Sequence, residues 1–216
     1  MLYIEAILPL TIALLPPGET QLPLGGLVRF EPDWLDRSEA DRLFDWLRTE
    51  VAWTQGSIQF FGRARLEPRL SAWFGDEDYT YSGRTLRAAP WPLELTALRT
   101  RVERAAGASF NAVLLNRYRS GDDSMGMHSD DEPELGPNPT LASVSVGAAR
   151  RFALQPKKKS ERQGGSVELV LEHGSLLVMA GACQHRYRHG VPKELGRDGE
   201  RMNLTFRRVS FWDKGA

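Results

Sequence analysis

Disulfides are the first thing this sequence excludes. Its 216 residues include one cysteine, Cys183, so no intramolecular bridge can form and a reducing, cytoplasmic setting is expected. A lone thiol two residues from His185 admits a Cys/His nucleophile, although a single cysteine is more often just a small buried residue. Excess charge is missing too. The 28 Lys/Arg and 28 Asp/Glu cancel, so the strongly basic balance of many nucleic-acid binders is absent. The apolar run 6–15 (AILPLTIALL) is too short to span a bilayer. Glu5 precedes it, and Pro16, Pro17 and Gly18 follow in place of a small-residue cleavage site, which argues against a secretory leader. This run is expected to pack on the core or on another chain. Internal repeats and low-complexity tracts are absent, and a monomer with no membrane association is expected.

What is present is ordinary globular composition, 41% hydrophobic and 26% charged, in a chain long enough to bury a sizeable core. The charge is unevenly distributed. Residues 1–149 carry 14 Lys/Arg against 21 Asp/Glu, a net of −7, whereas residues 150–208 carry 13 against 6, a net of +7. One basic face for a polyanion fits this asymmetry, with Arg150, Arg151, Lys157, Lys158, Lys159 and Arg162 as candidate phosphate contacts. A solvated surface fits it equally well.

Residues 16–26 (PPGETQLPLGG) read as a linker. A capping-box-like start at Ser38 to Asp41 precedes Leu43, Phe44, Leu47 and Val51 at helical spacing. A second helix is predicted from about Leu93 to Ala106, with Leu95, Leu98 and Val102 as its apolar stripe and Gly107 as its stop. Beyond Phe110 the pattern changes to short strands broken by Gly, Pro, Asp and Asn. They are predicted at 110–118, 140–147, 150–155, 166–171, 175–180 and 201–211. Helices first, then a β sandwich or barrel, is the expected architecture.

Three motifs in the β region carry chemistry. His128 and Asp130 share one face of an extended segment, and imidazole plus carboxylate suits a divalent metal. His173, His185 and His189 are the choices for a third ligand. Two histidines and one carboxylate leave coordination positions open, as in non-haem iron oxygenases. Residues 201–207 (RMNLTFR) alternate strictly: Arg201, Asn203, Thr205 and Arg207 lie on one face, Met202, Leu204 and Phe206 on the other. Two arginines six residues apart, roughly 20 Å along a strand, can reach inward to opposite ends of one short dicarboxylate. An exposed amphipathic edge strand is the competing reading. Asn116 and Tyr118 share a strand face and are good donors to a carboxylate.

In that order, NxY, HxD, a late histidine and RxNLTFR resemble the AlkB family of nucleic-acid dealkylating dioxygenases. NAVLLNRYRSGDD, HSDDE, ASVSVGAARRF and HGSLLVM are similar to the branch containing duplex-DNA repair enzymes. The likeness runs from about Phe61 to Trp212. It implies an α+β, mainly β fold: a double-stranded β-helix, or jelly roll, over 110–216, preceded by helices and a nucleotide-recognition lid over 21–109 and an extension over 1–20.

The resemblance also implies Fe(II), 2-oxoglutarate and dioxygen as cofactors. Iron falls to His128, Asp130 and His189. Around 2-oxoglutarate stand Asn116, Tyr118, Arg201, Thr205 and Arg207, with Asn203 alongside. Phe61 matches a wedge that fills the gap left by a flipped base. Gly62 and Arg63 follow it, and Tyr79, Tyr81 and Ser82 match the base-recognition segment. Asp131 and Glu132 are candidates to accept from an exocyclic amine and to favour a cationic, N-alkylated base. The implied activity is oxidative removal of N-alkyl groups from 1-methyladenine- or 3-methylcytosine-type bases in DNA, preferentially duplex, a methyl leaving as formaldehyde. An RNA or tRNA demethylase and a non-catalytic nucleic-acid-binding module are the other readings.

Overall fold

The structure is a computed structural model that describes residues 13–60, 63–81, 84–162 and 165–210. In chain order the strands are β1 (Ala13–Leu14), β2 (Gly18–Gln21), β3 (Gly26–Glu31), β4 (Ser57–Phe60), β5 (Arg63–Leu66), β6 (Leu70–Gly75), β7 (Tyr79–Tyr81), β8 (Arg84–Leu86), β9 (Ala112–Tyr118), β10 (Met125–His128), β11 (Leu141–Gly147), β12 (Arg150–Pro156), β13 (Val167–Leu171), β14 (Ser175–Gly181), β15 (Tyr187–Val191) and β16 (Arg201–Arg207). Helix α1 (Arg37–Glu50) follows β3, α2 (Leu93–Ala106) follows β8, and the single turn α3 (Cys183–Arg186) precedes β15.

Seven strands in the order β2-β3-β14-β11-β16-β9-β6 form one sheet, and five in the order β1-β13-β12-β15-β10 form the other. From β9 to β16 the chain passes back and forth between the sheets, apart from the β12–β13 hairpin within the smaller one, which makes a jelly roll. β4-β5 and β7-β8 are separate hairpins.

Burial explains the strand patterns. Between the sheets lies an apolar cluster that includes Leu141, Leu177 and Met179 from the larger sheet and Phe152, Leu154, Leu169, Tyr187 and Val191 from the smaller. The outer face of the larger sheet is covered by α1 and α2, where Leu47, Leu95, Leu98 and Val102 pack with Val113, Leu115, Val144, Leu204 and Phe206. A sheet covered on both faces has little use for polar residues, so β11 is buried along almost its whole length. β16 is the instructive exception. Its even-numbered residues pack under the helices, while Arg201, Asn203, Thr205 and Arg207 turn into the sandwich.

Helix α2 occupies the predicted span, and the left-handed Gly107 (φ 63°) closes it by donating its N–H to the Glu103 carbonyl. The cap of α1 differs from expectation. Asp36, not Ser38, is the N-cap, and its Oδ1 accepts from Glu39 N at 2.8 Å in a reciprocal capping box. Helices followed by a β core is also incomplete as a description, because β2, β3 and β6 from the N-terminal half complete the larger sheet. In the C-terminal half, β10 and β15 lie outside the predicted strand spans, although His128 is read on an extended segment. β10 is only four residues long (MGMH) and β15 reads YRHGV, so neither offers a clear strand signal.

Candidate metal and dicarboxylate site

Strands β10 and β15 assemble the site. β10 pairs antiparallel with β15, and His128 lies directly across from His189. The rings are 4.3 Å apart between centroids, and Asp130 Oδ1 lies 3.6 Å from His128 Nε2. One ligand atom each from His128, Asp130 and His189 falls within 4.8 Å of the others.

Neighbours fix each ligand. His128 Nδ1 lies 2.9 Å from the Gly126 carbonyl; a carbonyl can only accept, so Nδ1 donates there and Nε2 is the nitrogen turned toward Asp130. Phe152 stacks on His189 with centroids 5.5 Å apart. Burial first, then the neighbouring His128, pushes the His189 imidazole down to about 3, so it is neutral and able to ligate at pH 7. Asp130 N donates to Gln184 Oε1 at 3.1 Å, and Asp130 Oδ2 accepts from Arg207 Nη2 at 2.9 Å. Burial raises the Asp130 carboxyl, but the Arg207 charge first, then the neighbouring His128 and His189, outweigh it and hold the pKa below the usual carboxylate value.

The other histidines are engaged elsewhere. His185 Nε2 accepts from Asn138 N at 3.0 Å, and His173 Nδ1 accepts from Gly147 N at 2.8 Å. Cys183 is buried, and burial pushes its thiol up to about 11, which leaves no basis for a thiolate nucleophile.

The cluster opens into a cavity of about 320 Å³ whose far wall is β9 and β16. Asn116, Tyr118, Arg201, Asn203, Thr205 and Arg207 all line it, as do the three ligand residues and Glu132. Register explains the grouping: Arg201 pairs across from Tyr118, and Asn203 from Asn116. Arg201 Nη2 donates to Ser145 Oγ at 2.8 Å, and its guanidinium lies 5.1 Å from the Tyr118 ring centroid. Its Nε and Nη1 are buried without a hydrogen-bond acceptor, and so is Nε of Arg207. Asn203 is spoken for, donating to Ser143 Oγ at 2.6 Å and accepting from Thr205 Oγ1 at 3.0 Å.

Buried guanidinium donors without acceptors are costly. Two of them on one cavity wall suit a dianion, and two imidazoles with one carboxylate suit iron(II) with positions left open. The residues present therefore fit both groups.

Sequence reasoning missed the buried pair Glu67 and Arg69 on this wall, where Arg69 Nη2 reaches Glu67 Oε1 at 2.9 Å and Arg69 Nε reaches Asn116 Oδ1 at 2.9 Å. Nothing local in Glu67-Pro68-Arg69 marks it as interior.

The remaining candidates divide. Arg150 is corrected outright. It is 1% exposed and bonded to protein acceptors, so it is no phosphate contact. Asp131 is outside the cavity lining and pairs with Lys157. Arg63, Tyr79 and Tyr81 lie on hairpin strands β5 and β7. Phe61, Gly62 and Ser82 fall outside the described residues.

A double-stranded β-helix that presents two histidines and a carboxylate beside a dianion-sized basic wall has the constitution of a non-haem iron oxygenase. Comparison with known proteins agrees. Residues 28–207 match the family model described as 2OG-Fe(II) oxygenase superfamily. The chain is 39% identical over 211 residues to "Alpha-ketoglutarate-dependent dioxygenase alkB homolog 3" of Homo sapiens, covering 95% of this chain and 72% of that protein. It is 38% identical over 218 residues to "DNA oxidative demethylase ALKBH2" of Mus musculus, covering 89% and 91% respectively. The solved structure of OsALKBH1 shares the fold with a TM-score of 0.59 at 17% identity, covering 90% of this chain and 99% of that one. The chain belongs to the AlkB family of Fe(II)- and 2-oxoglutarate-dependent dioxygenases.

Proposed function

We propose that this enzyme removes alkyl groups oxidatively from N-alkylated DNA bases of the 1-methyladenine and 3-methylcytosine type, a direct reversal of damage that releases a methyl as formaldehyde. The observation that carries this reading is the single cavity joining the His128, Asp130 and His189 cluster to the unsatisfied guanidinium donors of Arg201 and Arg207.

In this reading His128, Asp130 and His189 hold iron. Arg201, Tyr118, Asn116, Thr205 and Arg207 surround 2-oxoglutarate, with Asn203 bracing Thr205. Iron, 2-oxoglutarate and dioxygen together supply an oxidant able to hydroxylate the N-alkyl carbon, the cosubstrate leaving as succinate and carbon dioxide. The chain supplies orientation and exclusion of water. Arg207 holds Asp130 in place through its Nη2, which leaves Nε for the cosubstrate. Glu132 lines the same cavity and can accept from an exocyclic amine while favouring a cationic base.

A duplex is the preferred substrate, with Phe61, followed by Gly62 and Arg63, filling the gap left by the flipped base and Tyr81, beside Tyr79 and Ser82, stacking on that base. Arg151, Lys158, Lys159 and Arg162 carry phosphate contacts. Lys157 joins them once Asp131 releases it.

The test is turnover of matched methylated single-stranded DNA, duplex DNA and RNA, with succinate and loss of the methyl group both measured. Coupled turnover on DNA is expected, highest on the duplex. Coupled turnover on RNA alone assigns the substrate to RNA. Succinate without methyl loss on every oligonucleotide defeats the dealkylation reading. Phe61→Ala should depress duplex activity and spare single strands. Equal loss on both with a lowered melting temperature returns Phe61 to a packing role.

A further inference from the structure

Arg150 is a fully buried cation that neither the metal cluster nor the cavity uses, and its environment suggests what it does. It opens β12 in the smaller sheet. Its Nε donates to Glu194 Oε2 at 2.8 Å, its Nη1 to the Ser120 carbonyl at 3.0 Å, and its Nη2 to the carbonyls of Asp123 at 2.9 Å and Pro192 at 2.7 Å. Ser120 and Asp123 belong to the connection between β9 and β10. Pro192 and Glu194 belong to the connection between β15 and β16.

These two connections share a property. Each crosses from one sheet to the other, and each joins a strand of the cavity's basic wall to a strand bearing a metal-cluster histidine. β9 carries Asn116 and Tyr118 and leads to His128. β15 carries His189 and leads to Arg201. One guanidinium therefore clasps both crossings. They also bond to each other, Gly121 N to the Arg197 carbonyl at 2.8 Å and Glu194 N to the Gly121 carbonyl at 2.9 Å. The approach is so close that a Cβ at Gly121 would meet the Glu194 carbonyl oxygen at 2.0 Å. Arg150 touches the cavity wall as well, with its guanidinium carbon 5.7 Å from the centroid of the same Tyr118 ring that Arg201 approaches.

We infer that Arg150 is a positioning residue that fixes the spacing between the two metal-cluster histidines and the Tyr118–Arg201 end of the cosubstrate seat. A buried cation is tolerated only where its donors are satisfied. The donors of Arg150 are satisfied only when both crossings are docked. Separation of either crossing from β12 would break these bonds. Because this inference rests on the assignment of 2-oxoglutarate to that seat, its test begins from binding.

The experiment measures 2-oxoglutarate binding by calorimetry with Mn(II) in place of iron, together with steady-state 2-oxoglutarate dependence and thermal unfolding. The proteins are the wild type, Arg150→Met, Arg150→Lys and Glu194→Gln. Arg150→Met should weaken 2-oxoglutarate binding and raise its KM by about 10–100-fold, the scale of losing an outer support of a metal site, with a smaller change in kcat. Arg150→Lys, which keeps the charge, should recover part of the loss. Glu194→Gln keeps the three carbonyl contacts and should show a smaller defect in the same direction. It carries the test if Arg150→Met does not fold. Variants that bind as the wild type does, whatever their melting temperatures, overturn the inference and leave Arg150 a stability element only. A wild type that fails to bind 2-oxoglutarate overturns the seat itself, a distinct result.

Discussion

The two walls of the cavity are built to different standards. On the basic wall, β16 is paired along its length on both sides, from Arg201 opposite Tyr118 to Arg207 opposite Ala112, and with β11 from Gly147 to Ala142. Helices cover its back. On the metal wall, β10 is an edge strand held by two register pairs to β15, Met125 with Val191 and His128 with His189, with a shift between them. Met127 is exposed, and the His128 side chain is a third exposed. The difference is one of support. The wall that would grip the cosubstrate is rigid through backbone pairing, whereas the wall that would grip the metal depends on side-chain bonds such as Gln184 to Asp130, Arg207 to Asp130 and the Arg150 clasp.

The comparison breaks most completely at the metal cluster. His128→Ala, Asp130→Ala and His189→Ala should each bring turnover to background in a succinate assay, whereas His185→Ala should retain most activity. An active His189→Ala beside an inactive His185→Ala would undo the ligand assignment. Next in size, Arg201→Met or Arg207→Ala should raise the half-saturating 2-oxoglutarate concentration by roughly 10–100-fold, from the loss of a charge-assisted bond of about 1.5–3 kcal/mol. The basic-wall reading fails if cosubstrate dependence is unchanged in a folded variant.

Stability should divide the same way. Leu204→Ala, under the helices, should cost about 2–5 kcal/mol in denaturant unfolding, and Met127→Ala on the exposed edge about 0.5 kcal/mol or less. Hydrogen exchange should find the β10 amides opening well before those of β11 and β16. Equal protection of both would erase the contrast.

A pH effect follows in the metal-free protein. The His189 pKa is depressed to about 3, so between its ordinary 6.5 and that value the unfolded chain binds a proton that the folded chain refuses. Stability is therefore retained above about pH 6.5 and declines as pH falls toward 3. Thermal melts across that range check this, and His189→Gln should flatten the decline. The smallest expected effect lies on the surface: neutralising Lys158 and Lys159 should reduce the salt dependence of DNA binding by about one unit of slope per lost phosphate contact.

Much of this was written in residue order. The alternation of RMNLTFR assigns its faces because successive strand residues point to opposite sides, and burial beneath α1 and α2 only states which side is which. The stripe and stop of α2 are equally local. Among the late histidines, by contrast, spacing alone left three choices. The resemblance favoured His189, and the register of β10 against β15 sets it opposite His128. Both strands are short, and β15 gives an inward position between the core residues Tyr187 and Val191 to His189, which weakens its apolar signal. The basic character of residues 150–208 was visible, but not that Arg150 turns inward while Lys158 stays in solvent. Charge is a property of the residue. Whether a charge meets water, a carboxylate or three carbonyls depends on which distant loops close over it, and only the folded chain brings those loops together.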